Sequence, residues 1–179
     1  MVTRIAFLRA VNLGRRRVPN TRLLEVAADL GQDDPWTFVN SGNLVFSGSG
    51  RREALERSFG SAFEEAFAFE VTTFVRTVTE LRKALALEPF ERSAGDTYFV
   101  TFLKSTPTKR ERSELEGLSG TYDTLVVAGR DVHWHMHGKS TDTKIPTKAW
   151  ERVIGRHTST SRNTTMLRRL LAKVDERRR

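Results

Sequence analysis

The chain has 179 residues, of which 30 are lysine or arginine and 22 are aspartate or glutamate, so its formal net charge is +8. Apolar residues make up 38% and charged residues 29%, a balance typical of a globular protein with one average or two small domains. No run of about 18 apolar residues exists, which excludes a transmembrane helix. The absence of cysteine excludes disulfides, thiol nucleophiles and thiolate metal sites. The first residues lack a signal-peptide pattern, so we expect a cytoplasmic protein of bacterial type.

The first half of the chain predicts six elements followed by a bridging helix. They are a strand near 5–8, a helix from Asn20 or Thr21 to Gly31, strands WTFV and LVFS, an amphipathic helix over 51–68, a strand over 71–75, and the bridging helix around 79–87. We expect a hairpin at 40–43, where Gly42 and Asn43 tolerate positive φ. The order strand, helix, strand, strand, helix, strand is the βαββαβ pattern of a ferredoxin-like unit.

The second half repeats much of this order. It predicts a strand TYFVTFL, a helix beginning at Pro107, strands over 124–128 and 132–136 around a hairpin at Gly129, a short helix from Pro146 to Gly155, and a last helix capped by Asn163 or Thr164. We therefore predict an α+β fold of two tandem ferredoxin-like units packed together. The first covers 1–88 with the bridging helix, and the second covers 89–179 with a basic C-terminal helix.

The βαββαβ pattern predicts a polar, basic rim at one end of the first sheet. Its first two strands point the same way, so the loop after the first strand lies beside the hairpin after the second. Free N–H groups at the following helix N-terminus and arginine side chains favour an anion there, although a solvated loop would carry the same residues. Hairpins also favour such residues for backbone reasons alone. The rim candidates are Arg9, Asn12, Arg15, Arg16, Arg17, Ser41 and Asn43.

Several segments resemble motifs of a bacterial family known as domain of unknown function 1697. They are FLRAVNLG, TFVNSGNLVFS, the lysine of TDTKIP and the late TSRN. The family motifs fall on Arg9, Asn12, Gly14, Ser41, Gly42, Asn43, Lys144, Arg162 and Asn163. The resemblance implies a tandem pair of ferredoxin-like units. It implies no reaction, because the activity of the family is not established.

Positive charge concentrates near the C-terminus. Residues 137–179 contain 12 basic and 4 acidic side chains, a surplus as large as the net charge of the whole chain. This asymmetry predicts a polyanionic partner, although a solvated basic helix fits the same pattern.

The GKST segment at 138–141 is not a nucleotide-binding P-loop, because His133 occupies the position of the required first glycine. Lys139 and Lys144 remain candidate phosphate contacts.

Three histidines, His133, His135 and His137, alternate along one predicted strand and therefore share a face. Such imidazoles can bind zinc, nickel or copper, but no carboxylate or further histidine is evident in the sequence to complete a site. The simpler interpretation is that the intervening apolar residues face the core and the histidines face water. We predict no cofactor.

Two functional hypotheses remain open, and no nucleophile motif decides between them, since no G-x-S-x-G occurs. The first is binding of a phosphate-bearing partner, nucleic acid first, through the basic loops and the C-terminal region. The second is a small-molecule enzyme or ligand binder whose polar pocket combines the rim with Lys144, Arg162 and Asn163. In both cases we expect no membrane association, and a monomer or weak homo-oligomer.

Overall fold

The computed structural model describes residues 1–9, 18–39, 42–156 and 158–179, and it divides into two compact units, Met1–Leu81 and Arg82–Arg179. Each unit contains one four-stranded antiparallel sheet together with helices, so the fold belongs to the α+β class. The boundary falls inside a helix, earlier in the chain than the boundary predicted after residue 88. None of the helices in these described ranges is both long and apolar enough to cross a membrane.

The first unit follows the predicted order of elements. They are β1 (Val2–Leu8), α1 (Asn20–Asp29), β2 (Asp33–Thr37), β3 (Asn43–Gly48), α2 (Arg52–Phe67), β4 (Thr73–Thr77) and the start of α3 (Val78–Leu87). The strand order in the sheet is β2-β3-β1-β4, and every neighbouring pair is antiparallel. The apolar periodicity of the sequence predicted the helices close to their observed bounds, whereas β2 is Asp33–Thr37 and not the predicted WTFV of residues 36–39.

A row of aromatic rings along α2 forms much of the first core, because residues four apart share one face of a helix. Phe59 and Phe63 are fully buried, with ring centroids 5.5 Å apart, and Phe67 continues the row 5.6 Å from Phe63. Phe46 of β3 meets the row 5.0 Å from Phe59. Such ring pairs add about 0.5–1.5 kcal/mol each beyond their buried area. The row therefore fixes α2 against the sheet.

The hairpin between β2 and β3 differs from the prediction at one position. Gly42 has the expected positive φ, +68°, but Asn43 is the first residue of β3 and is fully buried. Its Nδ2 donates a hydrogen bond of 3.0 Å to Phe38 O, so the amide closes the hairpin from inside. Val39 adopts a second positive φ, +50°.

The second unit contains the rest of α3 and a second antiparallel sheet. Its further elements are β5 (Thr97–Leu103), α4 (Lys109–Glu116), β6 (Asp123–Ala128), β7 (Asp131–Met136), a 3-10 turn (Ser140–Asp142), α5 (Thr147–Ile154), β8 (Ser159–Asn163) and α6 (Thr164–Arg177). The strand order is β6-β7-β5-β8. One core cluster of this unit consists of Leu103, Leu115, Leu125, Val127, Val132, Ile145 and Trp150. Trp134 packs on it with its ring 5.4 Å from that of Trp150.

The prediction that Pro107 begins α4 is wrong, because the next residue is the N-cap. Thr108 Oγ1 accepts a hydrogen bond from Glu111 N–H at 3.2 Å, and the Glu111 carboxylate accepts one from Thr108 N–H at 2.7 Å. This reciprocal pair is a capping box, which starts the helix at Lys109.

Strand β8 was not predicted, because its sequence STSRN contains no apolar residue. Its backbone pairs antiparallel with β5 over Phe99–Leu103, and Thr101 and Ser161 join their hydroxyl groups at 2.7 Å. Backbone pairing and hydroxyl contacts therefore replace the alternating apolar pattern that identifies most strands.

Candidate functional site

The structure brings two predicted rim residues to the same end of the first sheet. Leu8 N–H donates to Gly42 O at 2.8 Å, and Arg9 N–H donates to Thr72 O at 2.9 Å. Arg9 therefore follows a strand that ends beside the hairpin, where the buried Asn43 begins β3. The other rim candidates lie outside the described residues: Asn12, Arg15, Arg16, Arg17 and Ser41.

Lys144, Arg162 and Asn163 lie in the second unit but not at one site. Lys144 is exposed; its N–H donates to Asp123 Oδ2 at 2.7 Å, and its Nζ lies 5.7 Å from the centroid of the Tyr122 ring. Arg162 and Asn163 end β8. Two strands separate β6 from β8, so the strand that carries Asp123 lies about 14 Å from β8. The structure does not bring Lys144 together with the Arg-Asn pair.

The Arg-Asn pair has local structural roles. Asn163 is the N-cap of α6, and its Oδ1 accepts a hydrogen bond from Thr165 N–H at 2.8 Å, which confirms the predicted cap. Arg162 Nη1 donates to Thr160 Oγ1 at 2.8 Å and to Ser161 O at 2.9 Å. Burial lowers the pKa of the Arg162 guanidinium to about 10.

A pocket opens in the second unit at a place the sequence did not indicate. Its walls come from the end of α3, the segment that follows it, β5, β7 and the start of α6. The apolar and aromatic lining residues are Ala84, Leu85, Pro89, Phe90, Tyr98, Phe99 and Val100. The polar ones are Glu88, Arg92, His133, Thr164 and Arg168.

Both arginines of the pocket contact the same carboxylate. Arg92 Nε donates to Glu88 Oε1 at 3.0 Å, and Arg168 Nη2 donates to the same oxygen. Arg92 also donates to Thr164 Oγ1 at 3.0 Å and lies 4.7 Å above the Tyr98 ring. The hydrogen bond from Arg92, with the charge of Arg168, holds the pKa of the Glu88 carboxyl below its ordinary value. The pocket thus carries two cations around one anion.

The backbone of Glu88 is strained. Its φ is +31°, and a positive φ in a residue other than glycine costs on the order of 1–3 kcal/mol unless its surroundings hold it. The two guanidinium contacts hold the carboxylate of this residue in place.

His133 supplies a buried polar atom to the pocket wall. The residue is only 4% exposed, and its Nε2 has no hydrogen-bond partner among the residues that the structure describes. Burial, opposed by the carboxylate of Asp131, lowers the pKa of the His133 imidazole. The ring is therefore neutral near pH 7.

The prediction that all three histidines face water is wrong. His133 and His135 are buried, and only His137 is exposed. Tyr98 pairs with His135 across β5 and β7, and the two rings stack with centroids 4.7 Å apart. Phe90 lies 5.3 Å from the same imidazole. Aromatic rings from a neighbouring strand and segment therefore cover the face that the alternation alone assigned to solvent.

A carboxylate lies beside two of these histidines. Asp96 Oδ2 is 2.7 Å from His135 Nε2 and 3.4 Å from His137 Nδ1. Asp96 directly precedes β5 and is 39 residues from His135 in the chain, so only the pairing of β5 with β7 brings the groups together. Sequence reasoning missed it for that reason.

The residues of the pocket were missed for a related reason. Glu88 and Arg92 lie in a segment with no regular apolar pattern, and Arg168 looked like one of many basic residues on a solvated helix.

The fold of the chain is shared with a protein of known structure. The chain is similar in structure to the conserved bacterial protein SP0830 from Streptococcus pneumoniae, with a TM-score of 0.74 over 98% of this chain and 99% of that chain. At 15% sequence identity the likeness shows a common α+β fold.

Residues 1–133 match the family model described as "Protein of unknown function (DUF1697)". Because this match covers more than half of the 179 residues, the chain belongs to that family, as its motifs predicted. The match ends at His133, before His135, His137, β8 and α6. No curated protein matches the chain by sequence.

Proposed function

We propose that this protein binds a small anionic ligand in the pocket of its second unit, and that the ligand carries a phosphate or carboxylate group on an apolar or aromatic body. The observation that carries the proposal is the convergence of Arg92 and Arg168 on Glu88. Two guanidinium groups directed at one oxygen form the kind of clamp that holds phosphate and carboxylate ligands. The Glu88 carboxylate occupies the place that the acidic group of the ligand takes.

The other walls of the pocket support a ligand with an apolar body. Leu85, Phe90 and Tyr98 present carbon surface beside the clamp, where an apolar ligand body can pack. Apolar walls with a few convergent polar groups are typical of small-molecule sites.

Glu88 competes with the ligand in this proposal. An incoming anion displaces the carboxylate from at least one arginine, and the strained backbone at Glu88 favours that release. Removing the charge of Glu88 should therefore tighten binding, whereas removing Arg92 or Arg168 should weaken it.

Isothermal titration calorimetry with phenyl phosphate and with benzoate tests the proposal. Phenol and inorganic phosphate, the two parts of phenyl phosphate, are titrated separately for comparison. We expect phenyl phosphate to bind more tightly than either half. Arg92→Gln should weaken binding about 10–100-fold, the equivalent of one charge-assisted hydrogen bond, and Glu88→Gln should tighten it.

Lys173→Gln is the control for general charge, because it removes a cation from α6, the helix that carries Arg168, at a residue paired with Glu176. It should leave the affinity unchanged. Absence of binding by all four probes contradicts the proposal. An equal effect of Lys173→Gln and Arg92→Gln also contradicts it, since general charge would then explain the binding.

Nucleic acid is the second candidate ligand, and the specific observation in its favour is the basic surplus of residues 137–179. Against it, Arg168 of α6 pairs with Glu88, a carboxylate outside this segment, which neutralises part of that charge locally. If nucleic acid is the ligand, the fluorescence anisotropy of labelled single-stranded RNA or duplex DNA should show binding whose affinity falls steeply with salt. The binding should be lost when Arg177, Arg178 and Arg179 are changed to Gln. Flat traces at low salt contradict this candidate.

We also propose that both units are ferredoxin-like and that the chain is a monomer or weak homo-oligomer. The orders β2-β3-β1-β4 and β6-β7-β5-β8, with all neighbours antiparallel, support the topology. Sedimentation equilibrium over a range of protein concentrations tests the assembly state. A stable oligomer at low concentration contradicts it.

A further inference from the structure

Asp96, His135 and His137 each present one metal-ligating atom, and these atoms all lie within 4.8 Å of one another. The geometry points to a binding site for a divalent transition-metal ion, held by two imidazole nitrogens and one carboxylate oxygen. The ligand atoms are Asp96 Oδ2, His135 Nε2 and His137 Nδ1. This inference stands apart from the anion pocket, and neither depends on the other.

Strand pairing holds these ligands in place before any ion binds. Thr97 and Tyr98 of β5 pair with Met136 and His135 of β7, which sets Asp96 beside the end of β7. Thr97 Oγ1 donates to Gly138 O at 2.6 Å and fixes the chain just beyond His137.

The His135 ring is also fixed. It stacks on Tyr98 with an interplanar angle of 8°, and Phe90 contacts it as well. The imidazoles of His135 and His137 lie with centroids 4.2 Å apart. Rigid ligands of this kind lose little freedom when an ion binds, which favours affinity.

The two distances from Asp96 to the histidines fit a small ion after a minor adjustment. In tetrahedral zinc sites, with metal–ligand bonds of about 2.0–2.2 Å, neighbouring ligand atoms lie about 3.3 Å apart. The 3.4 Å between His137 Nδ1 and Asp96 Oδ2 already matches this value. The 2.7 Å between His135 Nε2 and Asp96 Oδ2 is a hydrogen bond, which an ion replaces as the two atoms separate by about half an ångström.

The ligand types indicate which ions fit. Two imidazoles and a carboxylate, without sulfur, suit zinc, nickel, copper or ferrous iron better than calcium or magnesium, which prefer all-oxygen sites. The described residues supply three ligands and the His137 side chain is 51% exposed, so water can complete the coordination. The site is therefore open in the manner of a catalytic or exchangeable metal site.

A purely structural pair of Asp96 and His135 would use the same 2.7 Å contact, and His137 separates the two interpretations. A metal site needs His137 as a ligand. A structural pair does not, because His137 is half-exposed and lies 3.4 Å from the carboxylate.

The test is zinc binding to the EDTA-treated full chain at pH 7.5, measured by competition with a chromophoric chelator. Neutral pH matters because imidazole ligands must be unprotonated. We expect one zinc per chain, and each of Asp96→Asn and His137→Gln should weaken binding by about tenfold or more, since each removes one ligand. Cobalt should give a tetrahedral absorption spectrum that both variants lose.

Asp131→Asn is the matched control, because Asp131 lies at the opposite end of β7 from the cluster. It should leave zinc affinity within about twofold, a change small on the free-energy scale. His137→Gln keeps the test decisive even if Asp96→Asn impairs folding, because His137 is exposed.

Three results would overturn the proposal. The first is no stoichiometric zinc binding by the wild-type chain. The second is wild-type affinity in His137→Gln, which would leave only a structural pair. The third is a loss of zinc affinity in His133→Gln as large as that in Asp96→Asn. Zinc would then bind to the three alternating histidines rather than to Asp96, His135 and His137.

Discussion

Trp134 donates its indole N–H to the carboxylate of Asp123 at 2.8 Å, and Asp123 is only 1% exposed. Thr143 Oγ1 and Lys144 N–H donate to the same carboxylate, each at 2.7 Å. A buried charge is strongly unfavourable unless hydrogen bonds compensate it, and these donors do so. Asp123 thereby anchors the segment that carries Lys144.

Asp123→Asn should lower the free energy of unfolding by about 2–4 kcal/mol, because an amide presents an N–H₂ group to donors that need an acceptor. Urea unfolding measures the change. Asp142→Asn is the control, since Asp142 is exposed in the 3-10 turn and should tolerate the same substitution. A loss no larger than that of the control would show that the carboxylate is not required.

Glu116 protects an outer strand. Its Oε1 accepts a hydrogen bond from Val127 N–H at 2.9 Å, and Val127 belongs to β6, an edge of the second sheet. Edge strands expose unpaired N–H groups that can form hydrogen bonds with strands of other chains. In the first sheet, Glu56 Oε1 does the same for Val75 N–H of the edge strand β4, at 2.8 Å.

Glu116→Ala should speed amide hydrogen exchange at Val127 by about fivefold, the equivalent of losing about 1 kcal/mol of hydrogen bonding. Exchange followed by NMR gives the rate residue by residue. Glu114→Ala removes a neighbouring carboxylate that pairs with Arg110 and should leave Val127 unchanged. Equal protection of Val127 in all three proteins would show that the contact is not maintained in solution.

The sequence predicted most of the fold because most elements carry an apolar period. The spacing of Phe59, Phe63 and Phe67 indicates α2, and the order of elements indicates two related halves. β8 was not predicted because polar residues can form an edge strand through backbone pairing and hydroxyl contacts. The start of α4 was misplaced because proline at the first helical position and threonine at the N-cap are competing signals.

Much less of the candidate sites could be predicted. Alternation correctly placed His135 and His137 on one face, but it cannot show what covers that face. Asp96 and Glu88 lie in irregular segments, where no period constrains the position of a side chain. Contacts that depend on strand pairing over tens of residues leave no local pattern in the sequence.

The stability of the protein should depend on pH through His133. Burial lowers the pKa of this imidazole, so as pH falls the unfolded chain takes up the proton first. The stabilising contribution is complete above the ordinary value of about 6.5 and is lost as pH falls from there toward the folded pKa.

His133→Gln should therefore show a flatter loss of unfolding free energy between pH 7 and pH 5 than the wild-type chain, measured by urea unfolding in EDTA. Above pH 7 the two curves should run parallel, because the imidazole is neutral in both states. Parallel curves across the whole range would contradict the assigned direction.

Gly138→Ala should destabilise the second unit by about 1–3 kcal/mol. Gly138 has φ +130°, and an added Cβ would lie 2.7 Å from Tyr122 Oη. That hydroxyl donates to Lys139 O at 2.9 Å, so moving it breaks a contact. Gly120→Ala is the control, because a Cβ there meets nothing within 4 Å. Thermal unfolding compares them, and equal midpoints would show that neither strain nor contact matters.

The three tryptophans are divided unevenly between the units: Trp36 lies in the first, while Trp134 and Trp150 lie together in the core of the second. In a Trp36→Phe chain, intrinsic fluorescence therefore arises from the second unit alone, and far-ultraviolet circular dichroism reports on both. Coincident transitions from the two signals would identify one cooperative folding unit, and separate transitions would identify two. Because two of the three tryptophans lie in the second unit, a single substitution allows fluorescence to measure the folding cooperativity of the chain.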